Sequence, residues 1–120
     1  MGTPYAIEFY REAGGHCPMD AFLDSLPDKH LARVHAYLEL LEQKGPNLQR
    51  PYADAVADKI RELRPGFGRH EYRLLYFFSG KTVVLTHGFL KKTDTVPPNE
   101  IARAISRMRD WLQRRSSHES

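Results

Sequence analysis

Hydrophobic positions change period along this chain, and the changes divide it into elements. From Thr3 to Tyr10, Tyr5, Ile7 and Phe9 alternate with Ala6, Glu8 and Tyr10, the period of a half-buried strand. Gly14 and Gly15 break that pattern. Asp20 to Leu26 reads as one short helix, with Pro18 near its start and Pro27 stopping it. A longer helix is predicted from Asp28 to Lys44, with Asp28 as N-cap and Gly45-Pro46 as the stop. Its apolar stripe is Leu31, Val34, Leu38 and Leu41, while Lys29, Arg33, Glu39 and Glu42 occupy the other face. The stripe is too short for a free coiled coil, so packing against a sheet is expected.

Asn47 to Asp58 contains Pro51 and few large apolar residues, and reads as a loop with at most a turn of helix. Strands follow at Lys59–Arg64, His70–Ser79 and Thr82–Phe89. Pro65-Gly66 and Gly68 mark the first connection and Ser79-Gly80-Lys81 the second. The middle strand carries Tyr72, Leu74, Leu75, Tyr76, Phe77 and Phe78 and is expected at the centre of the sheet; Val83-Val84-Leu85 marks a buried third strand. After a loop from Thr93 to Pro98, Asn99 is a candidate N-cap for a helix from Glu100 to about Arg114. That helix buries Ile101, Ile105, Met108 and Leu112 beside Trp111, and Ser116 to Ser120 reads as a frayed tail. The order β-α-α-β-β-β-α predicts one α+β domain over residues 1–120. Its sheet is mainly antiparallel, two N-terminal helices pack on one face, and a C-terminal helix follows. The other sheet face is expected to stay open, a place for a ligand.

Composition narrows the class. One cysteine, Cys17, permits no internal disulfide, which fits a reducing compartment. Glu8, Arg11 and Glu12 interrupt any apolar signal core. No apolar run approaches the roughly 18 residues that suggest a membrane span. A soluble cytoplasmic protein without membrane contact is expected. The net charge of +3 hides a strong polarity. Residues 59–92 hold eight cations (Lys59, Arg61, Arg64, Arg69, Arg73, Lys81, Lys91, Lys92) and two anions, Glu62 and Glu71, for +6, which leaves −3 on the rest. Such a surface favours a polyanion, RNA or DNA above all, although a basic stripe is also often a solvated face.

The six histidines, His16, His30, His35, His70, His87 and His118, make no zinc-finger or HExxH spacing, so no metal and no cofactor is expected. Gly66 and Gly68 belong to a hairpin turn and form no phosphate loop. Cys17 reads as a structural thiol. The cations offer more. A hairpin brings Arg64 near Arg73, and Lys91 and Lys92 follow where the third strand ends. These cations are expected to converge at one end of the sheet with His87, Glu62 and the phenol of Tyr72 or Tyr76. A cluster of this kind holds a scissile phosphate and neutralises the charge growing on its non-bridging oxygens. The RNA 2′-hydroxyl then serves as nucleophile, without a metal. His87 titrates nearest neutrality and is the candidate for proton transfer, against the reading of a hydrogen-bonded strand-end residue. Glu62 is a second candidate base, or an ion-pair partner that orients Arg64 or Arg73. Arg61, Arg69 and His70 are further candidate substrate contacts, with solvated charge as the plainer reading.

Three ordered motifs carry a family resemblance: Glu62-Leu63-Arg64, then Glu71-Tyr72-Arg73-Leu74-Leu75-Tyr76-Phe77, then His87-Gly88-Phe89-Leu90-Lys91-Lys92 with Thr93, Pro97-Pro98 and Glu100-Ile101-Ala102. Across Lys59 to about Arg109 the chain resembles the RelE/ParE superfamily of type II toxin–antitoxin toxins, in its phage-derived HigB-like branch. The resemblance implies a small RelE-like fold and a ribosome-dependent endonuclease that cleaves mRNA in the ribosomal A site. It also implies a cognate helix-turn-helix antitoxin and a toxin–antitoxin hetero-oligomer. Arg73 matches the family's phosphate-contacting arginine, Arg64 its basic strand end, and Lys91 and Lys92 its basic segment after the last strand. The C-terminal catalytic tyrosine of some members is replaced by a helix ending Trp111-Leu112-Gln113-Arg114-Arg115. A ParE-type gyrase inhibitor without nuclease activity is the alternative on the same fold.

Overall fold

A computed structural model describes residues 4–119, with Ser117–Glu119 described by their backbone alone. Thr3 and Ser120, assigned above to a strand and a tail, lie outside the described residues. The chain forms β1 (Ala6–Phe9), α1 (Pro18–Asp24), α2 (Asp28–Lys44), β2 (Ala53–Ala57), β3 (Ile60–Leu63), β4 (Gly66–Phe67), β5 (His70–Ser79), β6 (Thr82–Leu90) and α3 (Pro98–Glu119). The sheet runs β1-β6-β5-β3-β2, with β4 paired to β5. Among the described residues, only the β1–β6 pair is parallel. This α+β arrangement is consistent with the small RelE-like fold that the resemblance implies.

Local chemistry explains most boundaries. The bounds of α2 and β5 fall where the sequence places them. Pro27 takes the N-cap of α2, and Asp28 instead supplies negative charge to the first turn, where the helix dipole favours it. Similarly, α3 starts at Pro98, ahead of the proposed cap Asn99, because proline is preset for the first helical position. It also continues through Ser116–Glu119, where the sequence suggests a tail. Gly80, at φ 58°, turns β5 into β6 through a two-residue connection between the paired Ser79 and Thr82.

Two features depart from expectation. Residues 53–57 form β2, an edge strand that pairs antiparallel with β3. Its alanines have little strand propensity of their own, and the ladder with β3 overrides that weakness. The second departure concerns the expected open face. Val34, Leu38 and Leu41 of α2 and Met19 and Leu23 of α1 pack on Leu63, Leu74, Tyr76, Val83 and Leu85 on one side of the sheet. Ala104, Met108 and Trp111 of α3 pack on Ile60, Leu75, Phe77 and Val84 on the other. The second face is thus covered, because α3 presents its own apolar stripe to it, with a groove beside that helix.

A bulge in β6 sets which residues reach that groove side. Leu75 pairs with His87 but Tyr76 with Leu85, leaving Thr86 as the extra residue. Its Oγ1 donates to the Leu75 carbonyl at 3.2 Å. Val84 faces α3 before the bulge, and His87 and Phe89 face it afterwards, as an inserted residue exchanges the two faces of a strand. Gly88 lies against α1, where an added Cβ would come within 2.6 Å of the Phe22 ring.

Candidate functional site

The antiparallel β3–β5 register pairs Glu62 with Leu75 and Leu63 with Leu74, and so carries Arg64 alongside Arg73 at the end of the ladder. Both arginines share the Glu62 carboxylate. Arg73 Nε lies 2.8 Å from Glu62 Oε1, and Arg64 Nη1 lies 3.0 Å from Glu62 Oε2. Arg73 is 2% exposed and Glu62 6%, so this is a buried ion pair. Such a pair is costly to break, because either partner alone would be an uncompensated buried charge. Arg73 Nη1 also donates to the Tyr72 carbonyl at 2.8 Å, and Nη2 reaches Glu71 at 3.4 Å. Arg73 Nε and Glu62 Oε1 are within ion-pair distance, yet neither makes a directed hydrogen bond.

These residues form the floor of a groove of about 380 Å³. Its walls come from β2, from the loop between β6 and α3, and from the first turn of α3. Arg50, Arg64, Arg73 and Lys91 contribute four cations to the lining against Asp54, Glu62 and Asp94. Arg50 is held by Asp54 at 2.7 Å. That contact and the Ala55 N–H bond keep the Asp54 carboxyl below its ordinary value. Lys91 is fixed through its backbone, whose N–H donates to the Glu71 carbonyl at 2.7 Å. Positive side chains fixed by buried or backbone contacts around an open cavity suit a phosphate, because the charge is in place before the anion arrives.

Of the residues singled out in the sequence, Glu62, Arg64, Arg73 and Lys91 line the groove. Lys92 is exposed beyond it. Arg61 points to the opposite sheet face, where it donates to the Tyr76 hydroxyl at 3.3 Å and the Leu48 carbonyl at 3.0 Å. The phenols of Tyr72 and Tyr76 also belong to that opposite core, so the expected convergence of a tyrosine with Glu62 does not occur. Arg69 and His70 sit exposed at the β4–β5 turn.

His87 is 5% exposed beneath α3 and does not border the groove. Its Nε2 is 3.2 Å from Glu100 Oε1, its Nδ1 is 3.0 Å from Thr86 Oγ1, and its ring stacks on Phe89. Burial, then the Arg107 and Arg103 guanidinium groups, push its pKa down to about 3. The Glu100 carboxylate opposes that shift only weakly, because Arg103 holds the same oxygen at 2.7 Å. A neutral, enclosed imidazole of this kind orders α3 over the sheet. Arg50, Asp54, Asp94 and Thr95 also line the groove without having been singled out. The Arg50–Asp54 spacing of four is visible in the sequence, but the strand that aims Asp54 inward has no strand signal of its own there. Among the described residues, no group of three or more His, Cys, Asp or Glu side chains is placed to hold a metal ion. No helix among them is long and apolar enough to cross a membrane.

Comparison with known proteins adds a family. Residues 21–109 match the family described as "Phage derived protein Gp49-like", a span that contains every residue lining the groove. A protein of Mycobacterium tuberculosis (strain ATCC 25618 / H37Rv) named "Putative toxin HigB2" is similar to the chain, at 38% identity over 65 residues. The match covers 50% of this chain and 32% of that protein, so the chain spans about a third of its relative's length.

Proposed function

The chain belongs to the phage-derived Gp49-like family, and on that premise we propose that it is the toxin of a type II toxin–antitoxin system. In this reading it is a cytoplasmic endoribonuclease that cuts mRNA in the ribosomal A site and is silenced by a cognate helix-turn-helix antitoxin within a hetero-oligomer. The observation that carries the reading is the Arg64–Glu62–Arg73 ion-pair fork on the floor of the groove, with Lys91 and Arg50 on its rim. The name of the similar mycobacterial protein supports the toxin assignment.

Arg64 and Lys91 are the partly exposed cations on which a scissile phosphate would settle first. Arg73 is reached through its Nη2, whose present contact with the largely exposed Glu71 is loose at 3.4 Å. A phosphate oxygen can take the place of that carboxylate. The 2′-hydroxyl then gives its proton to a base, Glu62 or water, as it attacks phosphorus; the P–O5′ bond breaks, O5′ takes up a proton from water, and the products are a 2′,3′-cyclic phosphate and a 5′-hydroxyl. Arginine donors stabilise the phosphorane charge between these states. Glu62 holds both arginines and lines the groove together with Asp54 and Asp94. His87 acts at one remove, by fixing α3 on the groove wall.

The test is inducible expression followed by mapping of message ends for wild type, Arg64→Ala and Arg73→Lys. In-frame cuts are expected in wild type. Losing one preorganised donor should lower their rate by about 10²–10³. Growth arrest with intact messages and an early DNA-damage response would overturn the nuclease reading in favour of a gyrase-directed toxin.

A further inference from the structure

Aromatic rings also form a ladder on the sheet face turned away from the groove. Tyr72 is buried against Phe22 of α1. His70, two residues earlier on β5, lies nearly parallel to it, at 18° and 6.3 Å between centroids. His30 of α2 stands edge-on to both rings, 4.9 Å from His70 and 5.7 Å from Tyr72. Its Nδ1 is 2.5 Å from the Tyr72 hydroxyl, which fixes its position. Phe67 of β4 closes the cluster 4.6 Å from His30, and the Arg33 guanidinium lies 5.7 Å over the Phe67 ring. Exposure rises outward, from buried Tyr72 through half-buried His30 and Phe67 to exposed His70.

The cluster therefore ends in an exposed ring with a rigid backing, flanked by the cations Arg33 and Arg69. Glu71, the adjacent acid, is turned to the other face, on Arg73. The ladder and the groove lie on opposite faces of β5 and approach each other at its first residues. His70 is three positions from Arg73, about 10 Å at the usual strand rise, so an RNA strand joining them passes over the sheet end at the β4–β5 turn. We propose that His70, backed by Tyr72, His30 and Phe67, is a stacking platform for one base of a single-stranded RNA whose phosphates lie in the groove. The proposal rests on the ribonuclease reading and adds to it a base-binding position outside the groove. Aromatic rings beside backbone-tracking cations are how proteins hold single strands without reading sequence, since every base has a π face.

Short RNA oligomers with a single 2-aminopurine at successive positions test this, because stacking quenches that base. The wild-type protein should quench one position selectively. His70→Ala should remove the quenching and weaken binding by about tenfold, while His70→Phe should keep both. Arg64→Ala, in the groove, should weaken binding wherever the probe sits. RNA that binds through Arg64 but shows no selective quenching, or quenching indifferent to His70→Ala, overturns the platform and leaves the ribonuclease reading standing. Selective quenching with binding indifferent to Arg64→Ala overturns the groove as the RNA site and retains the platform. No binding by wild type at low salt overturns the platform, while the ribosome-dependent reading stands or falls on the message mapping above.

Discussion

Acid should loosen this protein through His87 before its carboxylates protonate. The folded-state pKa of about 3 lies far below the ordinary value of 6.5, so the unfolded chain binds the proton more readily. Folding stability is then fully present above pH 6.5 and falls as pH drops from there towards 3. Each pH unit well inside that window removes about 1.4 kcal/mol, which gives on the order of 2–3 kcal/mol between pH 6.5 and 4.5. That is a large part of the 5–15 kcal/mol typical of a domain. At 5% exposure the imidazole has little water to screen it. Urea unfolding of wild type and His87→Gln from pH 7.5 to 4.5 measures the effect. At pH 7 the variant should be weaker by about 1–2 kcal/mol, from the lost contacts to Thr86 and Glu100. Its stability should stay flat on acidification while that of wild type declines, and the two curves should cross at about pH 5.5. Parallel curves, or a wild type indifferent to pH down to 4.5, would refute the assignment of a buried neutral imidazole.

The ion-pair fork makes a second claim about stability. Arg73→Ala should cost about 3–5 kcal/mol by leaving the buried Glu62 with the partly exposed Arg64 alone, whereas Arg73→Met with Glu62→Leu should recover most of that loss; equal destabilisation of single and double variants by urea titration would contradict it. Gly88→Ala drives a methyl into the Phe22 ring and should cost about 1–3 kcal/mol of overpacking, read as a lower thermal midpoint. An unchanged midpoint would mean that α1 is free to shift on β6.

The sequence made the periodic elements legible and left the non-periodic ones hidden. α2 announces itself through Leu31, Val34, Leu38 and Leu41, and β5 through its dense aromatic and aliphatic residues from Tyr72 to Phe78, because each is largely buried. β2 gives no such signal: its alanines are small, its asparagine-free edge has no hairpin dipeptide, and only the ladder with β3 makes it a strand. The groove shows the same division. Arg64 and Arg73 were paired from the hairpin between their strands, and that geometry holds. His87 was placed with them by its position at a strand end. Nothing in the sequence disclosed the bulge at Thr86 or the second apolar cover from α3, which together enclose the imidazole. Alternation along β5 already sets Tyr72 and Tyr76 opposite Arg73, and the structure keeps them there, in the core away from the groove.

The parallel pairing of β1 with β6 has a consequence for how the molecule is made. Ala6 lies opposite Thr82, so β1 must wait for β6, made long after it, before it can hydrogen-bond. Closing so long a loop is entropically late work. The same strand region anchors α3, through Tyr10 to Asp110 at 2.6 Å and Glu8 to Trp111 at 2.5 Å. α3 in turn supplies Ile101 to the groove wall. The cations of β3 and β5 can therefore assemble on a nascent chain before their wall exists, and the finished groove appears only when the two ends of the chain meet.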